Sequence, residues 1–374
     1  MDTLFIGFAY LNYKQIIMFL IGGLLIYLAI KKNYEPTLLL PIGFGTILAN
    51  IPLSAVLDYE GTPGFLKILL DAGIKTELFP ILIFIAVGAM IDFTPLFANP
   101  SMLFFGAAAQ FGIFMTIIVA LLLGIGDLKV ASAIGIIGAA DGPTAIFVAT
   151  KFAQQYLGPI TVAAYSYMSL VPIVQPPVVK LLTTKKERMI RMEYKDVKVS
   201  KTLKILFPIF VTIIAGIMAP ISVPLVGSLM FGNLIRESGV LERLSQAAQN
   251  ELANIVTLLL GITIGATMVA DEFLQPTTLL ILFAGLGAFI FDTAGGVLFA
   301  KLMNVFRKEK INPMVGAAGI SAFPMSARVI QRMAQKEDPT NFILMQAVGA
   351  NVAGQLGSII AGGLILALVP ILVG

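Results

Sequence analysis

An all-α polytopic membrane protein, built from two inverted structural repeats with broken or re-entrant helices, is the fold class this sequence predicts. Three observations predict it. The composition is apolar with recurrent runs of spanning length, short motifs recur at a nearly constant offset, and Gly- and Pro-interrupted polar stretches sit inside otherwise apolar segments.

Of the 374 residues, 58% are apolar and 12% charged, whereas an average soluble domain carries roughly 25% charged residues. Apolar runs of membrane-spanning order occur at about 16–30, 37–57, 79–91, 102–126, 130–150, 157–180, 205–235, 254–270, 277–300 and 342–373. They leave no room for a large soluble domain. The opening MDTLFIGFAYLNYKQ lacks the basic start and small-residue cleavage site of a secretory signal, so the N-terminus is expected to be retained.

Without Cys or His, the chain has no disulfide framework, no thiolate metal site and no neutral-pH imidazole base. Its chemistry must use Asp, Tyr, Ser, Asn, Arg and backbone carbonyls. These are hard oxygen ligands plus a fixed cation, a set suited to group-I or group-II ions rather than transition metals.

Charge is unevenly spread within the net +4. Residues 180, 185, 186, 188, 191, 195, 198, 201 and 204 are all Lys or Arg, with three acids among them. The positive-inside rule puts this stretch in the cytoplasm, along with Lys31–Lys32 and Arg307–Lys310. It reads as a topogenic loop or as a docking site for an acidic partner. Five apolar segments separate Lys32 from Lys185. An odd number would place two basic loops on opposite sides, so one segment must be re-entrant or broken. The one holding ADGPT is expected to be, because Gly and Pro free backbone groups that lipid cannot satisfy.

Three motifs recur in order. PIGFGTILANIP (41–52) resembles PLVGSLMFGNLI (224–235) at an offset of 183, matching Pro41 to Pro224 and Asn50 to Asn233. IAVGAMIDF (85–93) resembles ITIGATMVADEF (262–273) at 177, and GAADGPTA (138–145) resembles GAAGISAF (316–323) at 178. The pattern predicts a first membrane repeat over 1–182, a basic cytoplasmic loop over 183–204 and a second repeat over 205–374. In an inverted arrangement the interrupted segments would meet near the midplane.

A carboxylate at membrane depth costs at least ~2.5–3.5 kcal/mol on insertion scales. Asp141 in GAADGPTAIF is therefore either a turn in an external loop or an ion or proton site, where the broken helix supplies free carbonyls and the carboxylate supplies charge. NPMVGAAGISAFPMSAR (312–328) adds Asn312, Gly316, Ser321, Ser326 and Arg328 among helix breakers. Arg328 could bind an anion, act as a counter-charge or snorkel from a helix end. GANVAGQLGS (349–358) brings Asn351 into an apolar helix, and Gly354 with Ser358 reads as a helix-packing pair. Tyr165 reads as an interfacial anchor and Tyr167 as a residue that could face the site. Asp92 and Asp271 read as helix-end caps. Asp292 is a second buried candidate or a structural hydrogen bond.

No GxSxG, HExxH, phosphate-binding glycine loop or biotinyl Met-Lys-Met is present, so a reaction on biotin would need another subunit to bring it. IGIIGAADGPTAIFVATK, VAAYSYMSLVPIVQPPVVKLLTTKKER and NPMVGAAGISAFPMSARV resemble the signatures of beta subunits of biotin-dependent, sodium-pumping decarboxylases acting on oxaloacetate, methylmalonyl-CoA or glutaconyl-CoA. The resemblance begins with EPTLLLPIGFGTILANIP and covers nearly the whole chain.

It implies a multi-pass subunit of a bacterial or archaeal inner membrane that decarboxylates carboxybiotin and exports Na+ while consuming a proton. It implies an elevator-like scaffold and core. Biotin-carrier and carboxyltransferase subunits, a small membrane-anchored gamma- or delta-type subunit and a homo-oligomer are the implied partners, with no nucleic acid. Asp141, Tyr167, Asn312, Gly316 and Ser321 fall on the implied sodium positions. Asp141, Tyr167 and Arg328 fall on the catalytic ones, and Arg328 with Asn351 on those holding carboxybiotin. The alternative is a sodium-coupled secondary transporter of a small organic anion.

Overall fold

The computed structural model describes residues 5–59, 61–193 and 197–373, so Lys195 of the basic stretch lies outside the described residues. The chain is a multi-pass helical membrane protein. Among the described residues six helices are long and apolar enough to cross a membrane, and a seventh forms if the bent pair Gln154–Met168 and Leu170–Leu182 counts as one span. A two-residue antiparallel ladder, Asp58 with Pro63 and Tyr59 with Thr62, is the sheet among the described residues.

Sequence expectation and structure differ where a run is broken. The 37–57 run is helical only over Pro36–Asn50. The 102–126 run divides at Gln110 into Met102–Ala109 and Phe111–Leu122. The 205–235 run is two helices, Lys201–Met218 and Val223–Ser238, parted by a turn at Pro220. The expected break in 130–150 is present: Leu128–Gly135 passes into a 3₁₀ turn, Ile136–Ala139, and helix resumes at Gly142. The 67° bend after Met168 has a local cause, since Pro172 lacks the N–H that would bond the Met168 carbonyl.

Packing links the two halves reciprocally. Helix Pro36–Asn50 lies on Ala253–Ala266, and Leu78–Met90 lies on Val223–Ser238. Each crossing is closed by glycines that leave no room for a Cβ. A Cβ on Gly45 would stand 2.3 Å from the Ile262 carbonyl oxygen, and one on Gly265 2.4 Å from that of Ile42. At the other crossing, a Cβ on Gly232 would collide with the Ile85 carbonyl oxygen and one on Gly88 with that of Leu229. The same pair of glycine contacts thus occurs at each crossing. Asn50 donates to Met268 O at 2.7 Å and Asn233 to Ile91 O at 2.8 Å, so each buried amide caps a carbonyl of the other half. The glycine contacts match Gly45 to Gly232, one helical turn beyond the Asn50–Asn233 register.

Lys201–Met218 lies at the periphery, with 6% of its apolar window buried, whereas half of the Leu344–Val373 window is buried. After Leu182 the polar connector is tied down by side chains. Arg188 pairs with Glu337 at 2.7 Å and Arg191 with Asp338 at 2.7 Å.

Two outcomes are expected. Gly88→Ala lowers the thermal midpoint in detergent, because forcing a methyl against backbone costs about 1–3 kcal/mol; Gly287→Ala, which meets open space, leaves it unchanged. Bonds from Thr340 and then Arg191 hold the Asp338 carboxyl down at about 2. Its value in the fold lies below the unfolded one, so the anchor is full above about pH 4 and is lost as pH falls through about 2. Amide protection over 188–193 should fall across that window, and Asp338→Asn should abolish the pH dependence.

Candidate functional site

Local sequence sets Asp141. Ile136–Ala139 tightens to a 3₁₀ turn, and Ala140 takes left-handed backbone at φ 53°, a conformation costing an L-residue roughly 1–2 kcal/mol. Asp141 is then extended and caps the helix Gly142–Phe152, accepting from Thr144 N, with Pro143 in the first turn. Pro suits that position because its missing N–H is unbonded there anyway. A carboxylate at this end also meets the positive pole of the helix.

The second break faces the first. Met314–Ala317 is one helical turn, and helix resumes at Met325. Ser321 N donates to Ala139 O at 2.9 Å, joining the two breaks directly. Gln175, buried on Leu157–Leu182, steadies the second break by donating to Ala317 O and Ser326 Oγ, both at 2.8 Å.

A third element, Leu344–Val373, presents Asn351, Gln355 and Ser358, a spacing that puts them on one helix face. Asn351 donates to Ile320 O at 2.6 Å. Gln355 Nε2 lies 3.1 Å from Asp141 Oδ2, and Ser358 Oγ 2.7 Å from it. Thr144 Oγ1 is also 2.7 Å from Oδ2, and Ser321 Oγ is 3.5 Å away. Ser321 and Ser358 hydroxyls are 2.7 Å apart, and either can donate.

Asp141, 4% exposed, is therefore surrounded by three hydroxyls and an amide whose hydrogens can turn. A hydroxyl both donates and accepts. The cluster can give its hydrogens to the carboxylate, or turn its oxygens toward a cation beside it. Among the described residues no three carboxylates converge as a multivalent metal cage would require. One carboxylate with neutral oxygens matches a monovalent ion or a proton.

Of the residues expected from sequence, the structure brings together Asp141, Ser321 and, through the Ile320 carbonyl, Asn351. The others lie elsewhere. Asn312 donates to Arg188 O at 2.8 Å and Ile190 O at 2.9 Å and accepts from Met314 N, so it fastens the connector to the second break. Gly316 packs on Gly296, whose carbonyl oxygen stands 2.0 Å from where a Cβ would be. Tyr167 donates to Leu282 O. Arg328 is exposed, with no acidic partner among the described residues. Asp292 Oδ1 accepts from Ile113 N at 3.1 Å, bridging the break at Gln110.

Sequence reasoning missed Thr144, Gln355 and Ser358. Gln355 and Ser358 stand four and seven residues after Asn351, a helical spacing visible in GANVAGQLGS. Tyr165, read as an anchor, packs its ring against Gly142, where a Cβ would meet Cζ at 2.2 Å.

Residues 14–369 match the family model described as Na+-transporting oxaloacetate decarboxylase beta subunit. The chain is similar to the glutaconyl-CoA decarboxylase subunit beta of Acidaminococcus fermentans, 52% identical over 97% of this chain and 95% of that one. It resembles the methylmalonyl-CoA decarboxylase subunit beta of Propionigenium modestum at 49% over 97% and 96%. It resembles the oxaloacetate decarboxylase beta chain of Klebsiella pneumoniae at 47% over 96% of each.

Ser358→Val and Gln355→Leu should each destabilise the fold by about 1–3 kcal/mol, as expected when a buried polar group loses a partner, measured as thermal midpoints in detergent. Asn312→Leu should lower that midpoint comparably and in addition speed tryptic cleavage within 183–204.

Proposed function

The chain belongs to the Na+-transporting decarboxylase beta-subunit family, and from that premise we propose that Asp141 is the carboxylate at which this membrane decarboxylase subunit exchanges Na+ for a proton. The observation carrying this is the convergence of Thr144, Ser321, Gln355 and Ser358 on Asp141 at the hydrogen-bonded junction of two chain breaks. Three elements supply the oxygens, so a shift of one against the others changes the ion's surroundings.

The substrate is carboxybiotin, brought by a biotin-carrier subunit that a carboxyltransferase subunit loads. Decarboxylation breaks the bond between ureido nitrogen and carboxyl carbon, releases CO2 and puts one proton on that nitrogen. Arg328, free of an acidic partner among the described residues, is the anchor for the carboxylate, and Asp141 supplies the proton when Na+ takes its place. The proton leaves the buried oxygen only as the cation arrives, so no net charge is stranded at membrane depth. Coupling then requires that two conformations bind Na+ with different affinity. The ion is exported from the cytoplasm as the cycle turns.

Residues 1–182 and 205–374 are, on this reading, inverted repeats joined by a cytoplasmic loop over 183–204. The reciprocal glycine and asparagine contacts support it. Those crossings form the scaffold, and the two breaks with Leu344–Val373 form an elevator-like core. Ser321 and Asn351 serve with Asp141, Asn351 by fixing the Ile320 carbonyl. Asn312, Gly316 and Tyr167 act by holding the breaks in place. The protein sits in a bacterial or archaeal inner membrane. Exposed apolar side chains on Lys201–Met218, such as Phe210 and Ile213, suit a small membrane-anchored subunit or a second copy.

Asp141→Asn should abolish Na+-stimulated CO2 release from free carboxybiotin. Ser358→Ala should raise the Na+ concentration for half-activation about tenfold, the effect of one charge-assisted hydrogen bond of about 1.5 kcal/mol. Uptake of an organic anion with Na+ by the wild type, without CO2 release, would favour the secondary-transporter alternative instead.

A further inference from the structure

Helix Met325–Glu337 begins at the second break and ends on the polar connector, where Glu337 holds Arg188 and Asp338 holds Arg191. Its inner face is buried through Ser326, Val329, Ile330 and Met333. Its outer face carries Arg328, Arg332 and Lys336, all exposed. They are spaced four apart, one above another along about 12 Å of helix.

This pattern is unfavourable for the helix itself, because like charges at that spacing repel. None of the three pairs with an acid among the described residues. Glu337, the one acid on the helix, is taken by Arg188. The stripe also has an opposite wall. Pro172, Pro176 and Lys180, again four apart, face Val329, Arg332, Met333, Lys336 and Glu337 across a groove of about 130 Å³, the Glu337 charge being met by Arg188. Side chains on a helix lean toward its N-terminus, here toward the break, and Arg332 Nε donates to the Arg328 carbonyl in that sense at 3.4 Å. Arg332 and Lys336 lose helix stability by their spacing and line the groove with Lys180, and Arg328 stands one turn beyond them toward the break, an arrangement suited to a mobile anion.

We propose that Arg332, Lys336 and Lys180 form an anion-guiding track that receives the carboxylate of the carrier-borne substrate at the connector and passes it to Arg328. The inference rests on the carboxybiotin reading above and adds the path of approach. Lys336 and Lys180 make first contact at the groove, and Arg332 lies one helical turn from each end of the stripe. No bond is made or broken on the track. Its residues are positioning residues that raise the local concentration of the anion.

The test uses the whole decarboxylase complex with Arg332→Gln, Lys336→Gln, the double variant, Arg332→Lys and, as a charge control, Arg243→Gln, which is exposed on another helix. Free carboxybiotin is the probe. Each single Gln variant should raise KM about threefold and the double about tenfold, the scale of modest charge interactions, with kcat altered less than twofold. Arg332→Lys should restore KM, Arg243→Gln should not move it, and salt should raise the wild-type KM more steeply than that of the double variant. An unchanged KM with a fallen kcat would overturn the track. So would a KM effect that vanishes when phosphatidylcholine replaces anionic lipid, since the stripe would then bind headgroups. Wild-type complex without Na+-stimulated CO2 release would overturn the carboxybiotin reading and the track with it.

Discussion

One oxygen, Oδ2 of Asp141, is the point on which the architecture converges. A buried carboxylate must be partnered or it is prohibitively costly, and satisfying this one takes three separate elements. The first break supplies Thr144, the second supplies Ser321, and Leu344–Val373 supplies Gln355 and Ser358. The surrounding structure serves to hold these ends together. The Ser321–Ala139 backbone bond joins the breaks, Gln175 and Asn351 fasten the second break, and Asn312 ties it to the connector.

Packing explains how irregular backbone is tolerated at this depth. Freed amides and carbonyls are acceptable in a membrane only where protein or water satisfies them. Here the turns of both breaks are enclosed: Ala139, Ala140, Ile320 and Ala322 are all inaccessible. The enclosure in turn depends on helices that approach closely. Glycines at the crossings of the two halves bring backbone against backbone, so small residues there serve the site at a distance.

Much of this was legible in the sequence, for identifiable reasons. Asp141 stood out because Gly and Pro beside a carboxylate have no ordinary place in an apolar run, and the break was found where they predicted it. The repeated motifs pointed to the helices that cross between halves. Gln110 was not legible as a break, because no Pro marks it, Gly112 reads equally as a packing position, and the Asp292 that bridges it is far away in sequence. Ser358 was hidden by its own small size, which fits a packing stripe as well as a hydrogen bond. Asn312 matched the implied sodium positions, but its partners at 188 and 190 are fixed by tertiary structure alone. The stripe of Arg332 and Lys336 was not read from the sequence, because its meaning depends on the groove beside it.

The central claim is that Na+ and a proton compete for Asp141, and it is tested most directly by binding with no turnover. Na+ would be added to the purified wild-type and Asp141→Asn proteins in weakly buffered detergent, with 22Na+ bound and protons released measured together. The account predicts one proton released for each Na+ taken up at this site in the wild type, and neither event at that site in Asp141→Asn. Equal Na+ binding by both proteins, or binding by the wild type without proton release, would contradict it.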